Sequence, residues 1–346
     1  MKFLSSTSSS EWGVPLRIGA RLAVLVGLVT GLWIALALTM GLAEPEPFLG
    51  VLDRAAEARP DLLLMGDSTL FWRGPTEKES LSLEDAIAAT YPELKVSSIS
   101  EAALTLDMME ASWRYLRARG AAPRVAIVVV NLRSFSPTWY ERPDSYTEKV
   151  LHQLTWDSRF VRALYRPLVE FDVLNKKALK IDEYYRMLRS HLHAAPADFG
   201  LDSDSASGAA YAKLSARASY YLCYGLPIPE EHPLLRAMTG LANKMRADGV
   251  KVLLYITPVD RERGAAEFGP GMVSAIDQNR EVVKGAITVA IAADQGLRLL
   301  DRADGAPTED FLDHGGAPNE HLTTVGRERL WADLKPMVDG LLADDD

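Results

Sequence analysis

Residues 124 to 131 read RVAIVVVN, six apolar residues in unbroken succession between an arginine and an asparagine. A strand with one wet face alternates apolar and polar side chains, so a strand that never alternates has to be covered on both faces. A parallel sheet with helices on either side meets that requirement. Four other short runs fit the same sheet: DLLLM (61–65), KVSSIS (95–100), VKVLLYI (250–256) and LRLLD (297–301). Helical patterns fall between and after them, over Ser82–Thr90, 106–120, Leu234–Asp248, Met272–Ala293 and His321–Leu342. The alternation predicts an α/β fold.

One interval, 134–231, breaks the rhythm. It is too long for a single crossover and mostly helical in pattern, so it reads as an insertion or lid beside the site. Its Trp139, Tyr140, Tyr184, Tyr185, Tyr220 and Tyr221 suit either sugar stacking or core packing, and core packing is the expectation.

The N-terminus carries a second constraint. Leu22–Ala43 holds no charged residue over 22 positions, enough helix to cross about 30 Å of hydrocarbon. Lys2, Arg17 and Arg21 precede it, while Glu44, Glu46 and Asp53 follow. The basic flank stays in the cytoplasm, which exports everything beyond the span. The small residues of Gly41-Leu42-Ala43 also suit signal cleavage, but the apolar run exceeds the usual signal core, and an uncleaved anchor is expected. The division is then a cytoplasmic segment 1–21, a single-pass anchor 22–43 in the lipid bilayer, an acidic linker 44–60 and a domain 61–346 on the extracytoplasmic side.

A net charge of −9 argues against a phosphate-tracking surface and hence against nucleic acid. Cys223 is the only cysteine, which excludes an intramolecular disulfide and a thiolate metal cluster. No cofactor and no metal site are expected.

In LLLMGDSTLF (62–71), Ser68 follows the first strand, at the carboxyl edge where catalytic groups of such sheets gather. It is placed at the start of the next helix, whose free N–H groups favour a developing oxyanion. A serine nucleophile needs a base, an acid to orient it and oxyanion donors. Of the six histidines, His321 stands out because it opens a helical run with Asp313 upstream to orient it. Asn131, ending the RVAIVVVN strand, offers an amide donor, although asparagine is also a common turn former. SISEAALT (98–105) offers the backbone N–H of Ala103.

These residues carry a resemblance to the SGNH (GDSL-type) esterase and acyltransferase superfamily. Ser68 in GDS matches its first block, Asn131 the third and His321 in HLTTVG the last. LLYITPVD (253–260) and FLD…HLT..G look most like the membrane-anchored branch, which includes D-alanyl-lipoteichoic-acid transfer and alginate-type O-acetylation proteins. The resemblance spans roughly Asp61 to Leu342 and leaves the insertion unmatched. It implies a three-layer α/β/α domain around a mainly parallel, flavodoxin-like five-stranded sheet. Two positions depart from the pattern. Ala103, or Ala102, stands where the second-block glycine belongs, and Pro318 stands where the aspartate before the histidine belongs. Asp313 is the acid expected instead, with Asp310 and Glu320 as fallbacks.

The expected activity is that of an exported serine esterase or O-acyltransferase acting on acyl esters of a cell-envelope glycan. Ser68 is the nucleophile, His321 the base and Asp313 the orienting acid, with the N–H groups of Ser68 and Ala103 and Nδ2 of Asn131 as the oxyanion hole. The family alone implies a membrane-embedded acyltransferase partner. A non-catalytic binding or assembly protein on the same fold is the second reading. A metal hydrolase using Asp313, His314 and His321 lacks the second cluster that would complete its site.

Overall fold

Side chains along the central strands alternate between two apolar layers, although the sequence there shows no polar alternation. The computed structural model describes residues 13–39, 47–72, 77, 82–142, 147, 150–151, 153–154, 161, 181–201, 216–292, 296–312 and 320–343. Five strands form one all-parallel sheet: β1 (Leu62–Gly66), β2 (Val96–Ser100), β3 (Val125–Val130), β4 (Lys251–Ile256) and β5 (Leu297–Asp301). Their order is β2-β1-β3-β4-β5, so the direction of winding reverses between β1 and β3. Register follows the apolar runs, with Leu62 opposite Val96 on one side and Val125 on the other. β1 and β3 are buried along their whole length, while the edge strands β2 and β5 are mostly half-exposed.

The period of two sorts the strand residues cleanly. Leu63, Met65, Ala126, Val128, Val252 and Leu254 join one core with α2 (Pro47–Ala58), α4 (Leu106–Ala118), α8 (Pro233–Ala247), α9 (Arg261–Phe268) and α10 (Pro270–Ala292). Leu62, Leu64, Val125, Ile127, Leu253 and Tyr255 join the other with α3 (Leu83–Thr90) and α11 (Thr324–Ala343). Each fully buried leucine contributes roughly 2 kcal/mol of apolar burial. Helix starts are locally encoded. Ser82 and Asp85 form a reciprocal capping box on α3, and Thr105 accepts from Met108 N to start α4.

The segment expected to be a linker, 44–60, is corrected over most of its length: α2 packs into the first core. Phe48, Leu49, Leu52, Ala55 and Ala56 recur at helical spacing and are buried, which the proline and acidic residues of AEPEPF obscured.

At the N-terminus, α1 (Gly13–Thr39) begins earlier than the charge-free run. Its Gly19–Leu36 window has a mean hydropathy of 1.9 and no buried residue. It is long and apolar enough for a membrane anchor or a signal sequence. Within 134–231 the described residues are helical in character, as expected: α5 (Pro137–Tyr140), α6 (Ile181–His193), α7 (Ala216–Tyr220) and a π-turn at Tyr221–Gly225. Tyr184, Tyr220 and Tyr221 are core residues, and Trp139 and Tyr185 pack against that core half-buried. Tyr140 is exposed.

Candidate active site

The carboxyl ends of β1 and β3 meet where the strand order reverses, a position that leaves a crevice in open α/β sheets. Gly66 ends β1 against β3 so closely that an added Cβ would lie 2.5 Å from Val129 Cγ2. The glycine of GDS is thus a packing requirement that sets how far Asp67 and Ser68 project from the sheet.

Ser68 opens a single 3₁₀ turn, Ser68–Leu70, rather than a helix; α3 begins only at Leu83. This corrects the expected helix dipole at the serine. The reason is local: Asp67 accepts from Thr69 N at 3.0 Å, and Phe71 N and Trp72 N both donate to Ser68 O, which closes the turn. Ser68 is nearly buried, with its Oγ 2.8 Å from His321 Nε2. When Nε2 is unprotonated it accepts the serine O–H, the arrangement a general base needs. The Trp72 ring flanks His321 at 5.6 Å between centroids.

His321 also lies outside the helix it was expected to open, since α11 starts at Thr324. Backbone pairing holds the preceding residues extended. Leu312 N donates to His321 O at 2.9 Å, Thr323 N donates to Asp310 O at 2.7 Å, and Phe311 bridges Leu322. Gly326 permits this, because a Cβ there would meet the Asp310 carbonyl at 2.6 Å.

Asp313, His314 and Pro318 lie outside the described residues. The fallback acids each have an arginine partner. Asp310 Oδ1 accepts from Arg329 at 2.8 Å, and Glu320 Oε2 lies 2.8 Å from Arg133 Nε. Asn131 sits at the site, but one of its amide N–H groups donates to Asp67 Oδ2 at 2.6 Å, leaving the other for a ligand. Ala103 borders the adjoining cleft with φ +61°, the left-handed conformation that a glycine adopts without strain. Asp67, Thr105, Trp139, Tyr140 and Arg142 line the same cleft, which reaches the serine turn through Asp67.

Beneath the Ser68–His321 pair lies a charge cluster that the sequence reading did not assign. Arg133 donates from NH2 to Asp67 Oδ2 at 2.8 Å while its Nε faces Glu320, and all three side chains are buried. Burial pushes the Asp67 carboxyl up. The Arg133 charge and the bonds from Thr69 and Arg133 outweigh that push and hold the carboxyl below its ordinary value. Burial likewise pushes Glu320 up; there Arg133 offsets it only in part and Asp67 adds to it, so Glu320 is raised to about 7. Arg133 itself is raised: burial opposes its charge, but the two carboxylates prevail. Nothing around Arg133 in LRSF marks it as buried. Asp67 was in view only as part of GDS, and Glu320 only as a fallback acid.

No family profile matches this chain, and no curated protein matches it.

Proposed function

We propose that the chain is an SGNH-type serine esterase or O-acyltransferase, anchored by α1 and acting on acyl esters of a cell-envelope glycan outside the cytoplasm. The observation that carries this reading is the 2.8 Å contact between Ser68 Oγ and His321 Nε2 at the β1/β3 crevice. The domain is read as a three-layer, flavodoxin-like α/β/α sandwich, a reading supported by the strand order and by the two cores that flank the sheet.

Ser68 Oγ attacks the acyl carbonyl carbon as its proton passes to His321 Nε2. The carbonyl π pair moves onto oxygen, where the N–H groups of Ser68 and Ala103 and the second Asn131 N–H stabilise it. The ester C–O bond then breaks, and the departing oxygen takes the proton from His321. Water or a sugar hydroxyl attacks the acyl-serine next and gives its proton to His321. Collapse releases the acid or a new ester, and Ser68 recovers the proton. Asp313 is assigned as the acid that orients His321.

A fluorophosphonate probe tests the reading, because it labels only a serine with a working base. The full chain in detergent should be labelled and Ser68→Ala should not be; equal labelling of both would remove the serine mechanism. The strained Ala103 in place of a glycine favours the second reading, a non-catalytic glycan-binding protein, which predicts no labelling at all. For topology, a reporter fused after Asp53 should score as exported, and the chain should stay with membranes through a high-salt wash. A soluble chain beginning near Glu44 would show that the segment is a cleaved signal.

A further inference from the structure

We propose that Arg133 is a positioning residue. Its buried guanidinium grips the side chain immediately before each member of the Ser68–His321 pair, Asp67 and Glu320. It thereby sets the register between two chain segments whose reacting residues are 253 positions apart. The inference rests on the functional reading above but is made from different contacts.

The segments need such a tie. Ser68 follows a sheet strand, whereas His321 belongs to the 320–323 stretch that pairs with Asp310–Leu312. Among the described residues no backbone–backbone hydrogen bond joins 67–72 to 320–323. Side chains join them instead, and besides the Ser68–His321 contact and the Trp72 ring beside His321, two arginines do so. Arg327 donates to the carbonyls of Trp72 and Leu322. Arg133 reaches Asp67 through NH2 and Glu320 through Nε, each at 2.8 Å. The Arg133 guanidinium also lies over the Trp139 ring at 4.8 Å, which ties the wall of the cleft to the same point.

Stability does not account for this arrangement. Removing three charges from water is costly, and apolar replacements of buried ion clusters are often as stable or more so. What a planar guanidinium supplies is direction, with its N–H groups held at fixed angles to one another. An ammonium in its place reaches one carboxylate at a time. The Ser–His contact would then widen, and a displacement of about 1 Å at a reacting pair costs about 100-fold in rate.

The test uses the full chain in detergent with ¹⁵N-labelled histidine, reading the ring nitrogens of His321 by NMR and the fluorophosphonate labelling rate in parallel. His321→Gln assigns the signal, and Ser68→Ala gives its position when the serine contact is absent. In Arg133→Lys the His321 signals should move toward the Ser68→Ala position, with the other histidines unchanged and labelling slowed about 100-fold. Wild-type signals, or a wild-type labelling rate, in Arg133→Lys would overturn the proposal. If the wild-type chain is not labelled while Arg133→Lys still moves His321, the positioning role stands and the serine-enzyme reading fails. Should Arg133→Lys not fold, Glu320→Ala decides. It removes one arm of the grip, and it should move the same signals and slow labelling at least about tenfold; an unmoved His321 would sink the idea.

Discussion

Asp67 and Glu320 contact two nitrogens of one guanidinium, each at 2.8 Å and both buried, yet they are driven in opposite directions. Asp67 collects directed hydrogen bonds from Thr69 N, Asn131 Nδ2 and Arg133 NH2. Glu320 faces the same guanidinium, but the Asp67 charge adds to its burial penalty, and the contacts from Arg133 and Tyr224 offset the sum only in part. The Arg133 charge acts on both carboxylates; the bonds from Thr69 at Asp67, and the push of Asp67 on Glu320, separate them. The difference also suits the chemistry proposed. With Glu320 holding a proton near neutral pH, the cluster approaches charge balance, so no excess negative charge opposes an oxyanion beside Ser68.

The comparison can be broken from either side. The largest effect is expected at Asp67. Asp67→Asn removes a well-bonded charge and leaves Arg133 facing only the weakly held Glu320, so unfolding in urea at pH 8 should show a loss of about 3–5 kcal/mol. A loss below about 1 kcal/mol would mean that its hydrogen bonds count for little.

Glu320 should behave in the opposite way. In the unfolded chain it titrates near 4.5, and in the folded chain at about 7. Between those values the folded state keeps a proton that the unfolded state has released, so this group's contribution to stability falls as pH rises through that window. The full fall is about 3 kcal/mol, at about 1.4 kcal/mol per pH unit. Glu320→Gln should flatten that slope and leave the protein no less stable than wild type at pH 8. Asp67 has the reverse sign: its contribution is present above its unfolded value near 3.8 and is lost as pH falls below it. A fall in stability between pH 4.5 and 7 that survives in Glu320→Gln would assign the titration to another group.

The smallest effect lies on the Asp67 side of the cleft. Ala103→Gly exchanges left-handed strain for extra unfolded-state freedom, and the balance should favour the variant by about 0.5 kcal/mol in a thermal melt. A clear destabilisation would show that the Ala103 methyl packs usefully and that the conformation is not strained.

Much of the scaffold was legible because its signals are local. All five strands lie within a residue or two of their apolar runs, since a continuous β-branched stretch has few other uses than a doubly covered strand. Ser68, Asn131 and His321 were legible as well, because strand ends and a polar residue after an apolar run can be read along the chain. Their meeting at one crevice was expected through the resemblance and not from any one stretch, and the extended pairing that keeps His321 out of α11 was not legible at all. The period of α2 was present in the sequence but lay behind residues that look like a linker.

By itself, then, the sequence determined the class of sheet, the charge-free N-terminal helix and the identities of the serine and histidine, all properties of short segments obeying a period or a length. Only the tertiary structure decided that Asp67, Arg133 and Glu320 share one buried cluster. Along the chain each is an ordinary charged residue of the kind that usually lies at the surface. Burial and partnership arise only when the ends of β1 and β3 and the approach to α11 converge, and which of two buried carboxylates stays charged depends on contacts that no stretch of sequence records.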